Sequence, residues 1–288
     1  MGPHKFAFSI SAILSVLSII LVLTKGLNLG IDFSGGILIE ARLEQNVDLP
    51  KVRSLLDSKE FGEISIQNFD EKDILIRVSK NKDVDQNVSI KKIKEILSSN
   101  YPDIEYRKTD FVGPGVGSEL IRNCFLALLL SFAFIMIYIW IRFDWQFGLG
   151  AIAALIHDAI MTIGFFSLTG LEFNGTSIAA ILTIVGYSIN DSVVIYDRIR
   201  ENMRKFKKIE LSDLLNISIN STLSRTILTA GITLTSLVAL VLFGGEALKS
   251  FSLSTFFGVI IGTYSSIYIS APILIYMDPR LKKEENKK

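Results

Sequence analysis

Six long apolar runs constrain the fold of this chain more than any other feature of its sequence. Each is close to the roughly 20 apolar residues that a helix needs to cross the hydrocarbon core of a bilayer. They cover Phe6–Leu23, Ile121–Ile141, Phe147–Thr169, Thr176–Tyr196, a fifth run that ends near Phe243 and begins between Leu214 and Thr226, and Phe251–Tyr276. We therefore predict a helical membrane protein with six transmembrane helices.

Charged residues are concentrated between the first two runs. The segment Gly26–Ser118 holds 13 of the 30 Lys and Arg residues and 16 of the 29 Asp and Glu residues, which predicts a soluble domain there. A net charge of +1 gives no footprint for binding nucleic acid. One cysteine, Cys124, and two histidines exclude a disulfide framework and a Cys-rich or His-rich metal site. Nothing in the soluble segment resembles a nucleophile–base pair, so we expect neither a metal nor enzymatic activity.

The short loops predict the orientation of the chain in the membrane. Asp197–Glu210 carries six cations and the segment after the sixth run carries five, whereas the loops Gly170–Gly175 and Gly244–Ser250 together carry only Lys249. Because short cytoplasmic loops are enriched in Lys and Arg, both termini are predicted to be cytoplasmic. The first run follows His4 and Lys5 as a signal peptide would, but its length and the absence of an A-x-A-like site favour an uncleaved anchor. The predicted parts are 1–25, with the first helix; 26–118, the extracytoplasmic domain; 119–276, with helices two to six; and 277–288, a basic tail.

The soluble segment reads as two similar halves. Residues alternate as in strands at Gly36–Leu43, Glu63–Phe69, Asp73–Val78 and Ile104–Phe111, and they follow a helical period at Asp48–Asp57 and Val88–Leu97. The order βαββαβ is that of a ferredoxin-like α+β fold. This fold by itself assigns no chemistry.

One acidic residue lies inside an apolar run. Asp191 stands about 15 residues into the fourth run, roughly 22 Å from its outer end at 1.5 Å per residue. A charged side chain at mid-helix costs at least about 2.5–3.5 kcal/mol, so it is a functional candidate by default. Tyr187 shares its helix face, with Gly186 and Asn190 alongside; we expect Gly186 to allow close backbone approach and the other two to offer hydrogen bonds. The alternative is that the helix ends early and Asp191 lies at the interface.

Two further ionisable residues fall within apolar runs. Arg225 begins a polar stripe with Thr229 on the fifth run, and because the fourth and fifth runs are antiparallel it could meet Asp191. It could instead extend its guanidinium to the membrane surface. Asp158, in the third run, could bind a proton or act as a structural hydrogen-bonding group.

Glycines mark three further places. Gly258 and Gly262 belong to a stripe of small residues, one every fourth position of the sixth run, which predicts close helix packing. GIDFSGG and FVGPGVGSEL flank the soluble segment and are predicted to be either hinges or stiff linkers. No Lys-Ser/Thr follows them, which argues against a phosphate loop. The motif residues are Asp32, Gly35 and Gly36 in the first, and Gly113, Pro114 and Gly117 in the second.

Several motifs, in order along nearly the whole chain, resemble those of the SecF family of protein-export membrane proteins. They are GIDFSGG, FVGPGVGSEL, FDWQFGLGAIAALIHDAIMTIGFFSL, VGYSINDSVVIYDRIRENMRK, LSRTILTAG, FGGEALKSFSL and GVIIGTYSSIY. The resemblance is weakest between about Leu43 and Asp103. It implies six transmembrane helices with a small ferredoxin-like extracytoplasmic domain, and it places the family's proton-passage residues on Asp191 and Arg225.

The resemblance also implies a function and partners. The expected role is to drive late-stage export of unfolded preproteins across the bacterial cytoplasmic (inner) membrane with the proton-motive force. The expected partners are SecD, the SecYEG channel with YajC or YidC, the preproteins and membrane lipids. No cofactor is expected. The expected coupling ion is the proton, with sodium as the alternative. A proton-coupled small-molecule exporter and a passive assembly subunit are the alternatives.

Overall fold

The predicted set of helices is present in the structure. A computed structural model of the chain describes residues 4–44, 48–56, 64–68, 72–78, 86–113 and 116–279. Within those residues, six helical segments are long and apolar enough to cross a membrane. They are α1 (His4–Lys25), α5 (Val116–Arg142), α6 (Trp145–Thr169), α7 (Gly175–Lys205), α8 (Leu211–Phe243) and the segment Leu248–Tyr276, which comprises most of α9 (Gly245–Ser265), a π-helical turn (Ser266–Ser270) and α10 (Ala271–Tyr276).

Local signals explain where the helices begin and end. The Asn174 side chain accepts hydrogen bonds from the backbone N–H groups of Thr176 and Ser177, and the Ser177 hydroxyl accepts one from the Asn174 N–H, so that α7 begins with a capping box. Gly170 ends α6 in the left-handed conformation with φ 70°, which glycine adopts without steric cost. The fifth helix begins at Leu211, three residues before the predicted range of Leu214 to Thr226.

The fourth helix is longer than the apolar run that predicted it. It continues to Lys205, nine residues beyond Tyr196, so it does not end near Asp191. The extension is polar, and its Glu201 pairs with Arg198 and Lys205 at spacings of three and four residues. Such pairs stabilise a solvated helical segment by about 0.2–0.5 kcal/mol each.

Helices α6, α7 and α9 form the packed centre of the bundle. They contact one another pairwise, while α1 packs on α6, and α8 packs on both α7 and α9. The fully buried aromatic side chains Phe147 and Tyr196 meet edge to face, with ring centroids 5.0 Å apart. The Tyr196 hydroxyl is also hydrogen-bonded to Ser270 in the π-helical turn. No pattern in the sequence predicted this π-helical turn. Such segments within α-helices are frequent at functional sites.

The soluble domain has the predicted ferredoxin-like order. Its strands and helices are β1 (Gly36–Arg42), α3 (Leu49–Leu56), β2 (Ile64–Asn68), β3 (Asp73–Val78), α4 (Gln86–Asn100) and β4 (Glu105–Val112). The four strands form one antiparallel sheet in the order β2-β3-β1-β4. In register, Ile39 of β1 lies opposite Ile76 of β3, and both are fully buried. Apolar residues of α3 and α4, among them Val52 and Ile93, complete this core.

A short helix, α2 (Ile31–Ser34), is an addition to the predicted elements and lies within GIDFSGG. The chain divides into two compact units, Leu29–Phe125 and the remaining described residues. Several predicted positions lie outside the described residues: Asp57, Glu63 and Phe69 at element ends, Pro114 in the second glycine segment, and 280–288 of the basic tail.

Candidate functional site

Asp191 is buried within the helical bundle. Its relative exposure is 3%, and its carboxylate oxygen Oδ2 is buried without a hydrogen-bond partner among the described residues. The helix continues for fourteen residues beyond it, so the carboxylate is held along a continuous helix. A buried carboxylate oxygen left without a donor is costly, and such an exception in a native structure calls for an explanation.

Arg225 lies on the neighbouring helix but does not close an ion pair with Asp191. Helices α7 and α8 pack together, and the Arg225 charge acts on the Asp191 carboxylate. Among the described residues, no nitrogen of Arg225 lies within 4.0 Å of an oxygen of the Asp191 carboxylate, so the two form no salt bridge. Arg225 itself is exposed on the described structure. The two predicted partners are therefore on adjacent helices, close enough to feel each other's charge and not in contact.

A third helix adds a polar group that sequence reasoning missed. Thr263 of α9 and Tyr187 of α7 have buried hydroxyls without a hydrogen-bond partner among the described residues. Asp191, Thr263 and Thr229 are the polar groups that act on the Tyr187 hydroxyl. The Thr229 hydroxyl donates to the backbone carbonyl of Thr226, 3.0 Å away. Thr263 directly follows a member of the small-residue stripe, Gly262, and no pattern in the sequence distinguished it.

The other two residues expected beside Asp191 face different surroundings. An added Cβ at Gly186 would meet no atom within 4 Å, so the close backbone approach expected there is absent from the described structure. Asn190 is exposed and lines a groove of about 380 Å³ between α5 and α7, together with Phe134, Tyr138 and Val193. Gly186 and Asn190 therefore lie on the outer surface of the helical bundle rather than in its packed interior.

Asp158 occupies the most enclosed position of any candidate. It has no exposed surface, and its Oδ2 accepts hydrogen bonds from the hydroxyls of Ser188, at 2.6 Å, and Ser265, at 2.8 Å. Its Oδ1 lies 3.1 Å from Nδ1 of His157. Sequence reasoning saw no counter-charge for Asp158 and did not identify the two serines.

Gly258 and Gly262 lie where α9 packs against α7. A Cβ at Gly258 would overlap the Ile184 side chain, and one at Gly262 would lie 3.1 Å from the Ser188 Cβ. The small residues therefore bring the two helices close enough for Ser188 and Ser265 to share one carboxylate.

The two glycine segments beside the soluble domain meet each other. A Cβ at Gly117 would lie 2.9 Å from the carbonyl oxygen of Phe33 and 3.2 Å from that of Asp32, so the start of α5 is packed directly against α2. Gly35 and Gly36 have φ angles of 70° and 124°, which a residue with a side chain rarely adopts. A Cβ at Gly113 would make only ordinary contacts with Phe111 and Val116. At Gly117, the start of α5 is therefore in direct contact with α2.

No group of three or more His, Cys, Asp or Glu side chains suited to a metal occurs in the part of the chain that the structure describes.

Two family models match the chain. Residues 92–280 match the C-terminal region of the SecD/SecF protein export membrane proteins, and residues 20–47 match the SecD/SecF GG motif. The second match contains the two glycines with positive φ that follow α2.

Curated relatives and solved structures give the same assignment. The chain is 54% identical over 286 residues to the protein translocase subunit SecF of Rickettsia bellii, covering 98% of this chain and 94% of the relative. It is 55% identical over 276 residues to the SecF of Rickettsia felis, covering 95% and 90%.

The crystal structure of SecDF, a translocon-associated membrane protein from Thermus thermophilus, superposes with a TM-score of 0.87 at 38% identity. It covers 97% of this chain, which spans only 38% of that longer chain. The chain is thus a multi-pass membrane protein and belongs to the SecF family of protein translocase subunits.

Proposed function

We propose that this chain is an accessory subunit of the Sec export machinery and that it works with SecD to drive the late stage of preprotein translocation with the proton-motive force. It acts in the bacterial cytoplasmic membrane, with both termini in the cytoplasm. It moves an unfolded polypeptide by a change of conformation and catalyses no covalent reaction. Its relatives are named protein translocase subunits, which supports the export role.

The single observation that carries the proton coupling is the state of Asp191. The side chain is buried to 97% of its surface, one of its oxygens has no donor among the described residues, and the neighbouring helix α8 carries a cation, Arg225, that forms no ion pair with it. A buried carboxylate in this condition is stabilised either by taking up a proton or by closing on the cation. Asp191 can therefore be stabilised either by a bound proton or by contact with Arg225. Because contact requires Arg225 to move, proton binding is coupled to the packing of α7 and α8.

The membrane potential supplies part of the driving force. Moving one charge across the membrane contributes about 2.3 kcal/mol per 100 mV. Repeated binding of a proton from one side and release to the other would cycle Arg225 between two positions. Each cycle would change the packing of α8, and we infer that this change reaches the exported domain and the polypeptide beside it.

Incomplete burial of the spans supports a membrane partner. Only 6% of the most apolar window of α5 and 17% of that of α8 are buried, against 56% for α6. Their surfaces are left to lipid or to another membrane protein. The match to a longer SecDF chain supports SecD as that protein. The SecYEG channel, with YajC or YidC, completes the proposed assembly.

The function is tested by an export assay in lipid vesicles containing the Sec channel, SecD and this chain. Asp191→Asn should abolish the stimulation of export by an imposed proton gradient, while Asp191→Glu should retain part of it. The matched control is Asp197→Asn on the same helix, since the Asp197 side chain is 62% exposed and pairs with Arg142. An Asp191→Asn variant with full proton-driven export would contradict the proposal.

Two further arms of the same assay separate the alternatives. Replacing the proton gradient by a sodium gradient should give no stimulation, and stimulation by sodium alone would make sodium the coupling ion. A passive assembly subunit predicts that Asp191→Asn and Arg225→Gln lower export only in proportion to protein level in the vesicles. A small-molecule exporter predicts dye efflux from vesicles that contain no Sec channel.

A further inference from the structure

A second carboxylate of the bundle, Asp158, is held in a polar site that the proton cycle of Asp191 does not use. Its relative exposure is 0%, and three groups contact its carboxylate. Ser188 and Ser265 donate to Oδ2 over 2.6 and 2.8 Å, and His157 approaches Oδ1 through Nδ1 at 3.1 Å. The carboxylate thereby joins α6, α7 and α9, the three helices at the centre of the bundle.

Both serine donors act on one oxygen of Asp158. The two hydroxyls converge on Oδ2, which accepts both hydrogen bonds and itself carries no proton in this arrangement. Hydrogen bonds to a charged carboxylate are shorter and stronger than those to a neutral group. The close approach of α7 to α9 at Gly262 lets Ser188 and Ser265 reach one oxygen together.

One of the donors already has a second acceptor within reach. The Ser265 hydroxyl lies 2.8 Å from Asp158 Oδ2 and 3.1 Å from the backbone carbonyl of Gly262 on its own helix. If Oδ2 were protonated, it would become a donor and could no longer accept from both serines. The Ser265 hydroxyl would then turn wholly to the Gly262 carbonyl, and this hydrogen bond between α6 and α9 would be lost.

Few ionisable groups face this site. His157 is 7% exposed, and its Nε2 is buried without a partner among the described residues. From α9, Tyr264 brings its ring to 6.4 Å from the His157 ring and directs its hydroxyl to Ser11 and Ala7 of α1. From α7, Ser188 contacts the carboxylate, while Asp191 stands three residues further along that helix. The π-helical turn contributes serines, of which Ser266 donates to the Ser188 carbonyl. On α1, the ionisable residues His4, Lys5 and Lys25 lie at the two ends of the helix.

We propose that Asp158 and His157 form a second proton-binding site, and that its occupancy by a proton controls the contact between α6, α7 and α9. Ser188 and Ser265 are positioning residues that stabilise the carboxylate form by donating hydrogen bonds to Oδ2. When Oδ2 binds a proton, it can no longer accept both of these hydrogen bonds. An arriving proton binds to Asp158 Oδ2, which thereby changes from acceptor to donor, while His157 contacts Oδ1. No bond other than this O–H bond forms or breaks.

The site is separate from Asp191. Ser188 contacts Asp158, whereas Asp191, about one turn further along α7, is acted on by Arg225 of α8. Two such sites on one helix would allow proton uptake at one to change the packing felt by the other. The use of the site in export rests on the proposed function, but its binding of a proton does not.

The test is an infrared titration of the full chain in lipid vesicles, with aspartate labelled with carbon-13. We expect a carboxyl C=O band that is removed by Asp158→Asn and kept in Asp191→Asn. Ser265→Ala and Ser188→Ala each remove a donor to the carboxylate, and should raise the midpoint of that band by about one pH unit, a roughly tenfold gain in proton affinity. If Asp158→Asn fails to fold, the band can still be assigned to Asp158 from the rise of its titration midpoint in the two serine variants.

The matched control is Thr162→Val. Thr162 is fully buried on the same helix, and its hydroxyl donates to the backbone carbonyl of Asp158 rather than to the carboxylate. Its midpoint should equal that of the unmodified chain. The inference is overturned if the Asp158 band does not titrate between about pH 4 and 10, or if the serine variants titrate like Thr162→Val.

An export assay on the same variants separates this inference from the proposed function. Loss of proton-driven export in Asp191→Asn, with no titration at Asp158, would refute the second site alone. Titration at Asp158, with full export in Asp191→Asn, would refute the proposed function and leave the second site standing.

Discussion

The soluble domain and the helical bundle treat a buried carboxylate in opposite ways. In the soluble domain, Asp73 is 3% exposed and Arg42 grips it with two hydrogen bonds of 2.7 Å, while Arg107 lies 3.6 Å away. In the bundle, Asp191 is equally buried, but one of its carboxylate oxygens has no hydrogen-bond partner among the described residues, and Arg225 forms no ion pair with it. A carboxylate that is ion-paired with guanidinium groups stabilises one structure, whereas a buried carboxylate without an ion pair can bind a proton.

Asp158 is an intermediate case. Its carboxylate has as many partners as that of Asp73, but two are neutral hydroxyls and the third is a histidine. Neutral donors oppose protonation less strongly than a guanidinium does, because they contribute no charge of their own. The structure thus contains three levels of restraint on a buried acid, and only those in the bundle leave room for a change of protonation.

The largest effect that follows from this comparison concerns the removal of Asp73. Asp73→Ala breaks two charge-assisted hydrogen bonds and should lower the free energy of unfolding of the soluble domain by about 3 kcal/mol. Amide hydrogen exchange in β1 and β3 of the full chain in detergent measures this change. The control is Asp110→Ala, since Asp110 pairs with Lys108 while 40% exposed and should contribute less than about 1 kcal/mol. Equal losses in the two variants would contradict the distinction drawn here.

A smaller effect is expected when acid, rather than mutation, removes the charge of Asp73. The hydrogen-bonded Arg42 holds the pKa of Asp73 below its ordinary value, with Arg107 acting in the same direction against the opposing effect of burial. Because the folded-state pKa is lowered, the stability gained is fully present above the unfolded value of about 3.9 and is lost as the pH falls through the folded value.

Comparison of the unmodified chain with Asp73→Asn isolates this contribution. The difference in exchange protection between the two should be constant near neutral pH and should narrow below about pH 4. The loss should be less than that in Asp73→Ala, because a protonated carboxyl still offers an acceptor to Arg42. A difference that stays constant down to the acid limit of folding would show that the Asp73 charge does not contribute.

Much of the fold and part of the site could be predicted from the sequence, for identifiable reasons. Apolar runs of membrane-spanning length and strands with a two-residue period are local signals, so six helices and the βαββαβ order were predicted and are confirmed. Asp158, Asp191 and Arg225 could be found because a charge within an apolar run is itself a signal. The sequence was enough to predict that the charge acting on Asp191 is that of Arg225 on an adjacent helix. It was not enough to predict that the two side chains form no ion pair.

The residues that were missed depend on contacts between distant segments. Ser188 and Ser265 are 30 and 107 positions away from Asp158, and serine is common in both helices, so no spacing singled them out. The π-helical turn has no local sequence signal, because its serine Ser266 bonds to a distant helix: it accepts from the Ser192 hydroxyl and donates to the Ser188 carbonyl of α7. The helix α2 was obscured by the glycines around it, which predict turns. Gly186 was misjudged because a glycine on a helix is as compatible with an open surface as with a close contact.

The smallest expected effect is the one that most sharpens the comparison. Asp191→Asn removes a buried charge that has no closed ion pair, so it should change the free energy of unfolding of the bundle by less than about 1 kcal/mol, or stabilise it slightly. The measurement is chemical unfolding of the full chain in detergent, followed by the fluorescence of Trp140 and Trp145. The amide of asparagine keeps the volume of the carboxyl, so no cavity contributes. If Asp191→Asn instead destabilised the bundle as much as Asp73→Ala destabilises the soluble domain, Asp191 would be a structural ion-pair residue like Asp73. The bare oxygen would then mark a contact that forms in the membrane, and a loss of export in the same variant could no longer be attributed to the proton.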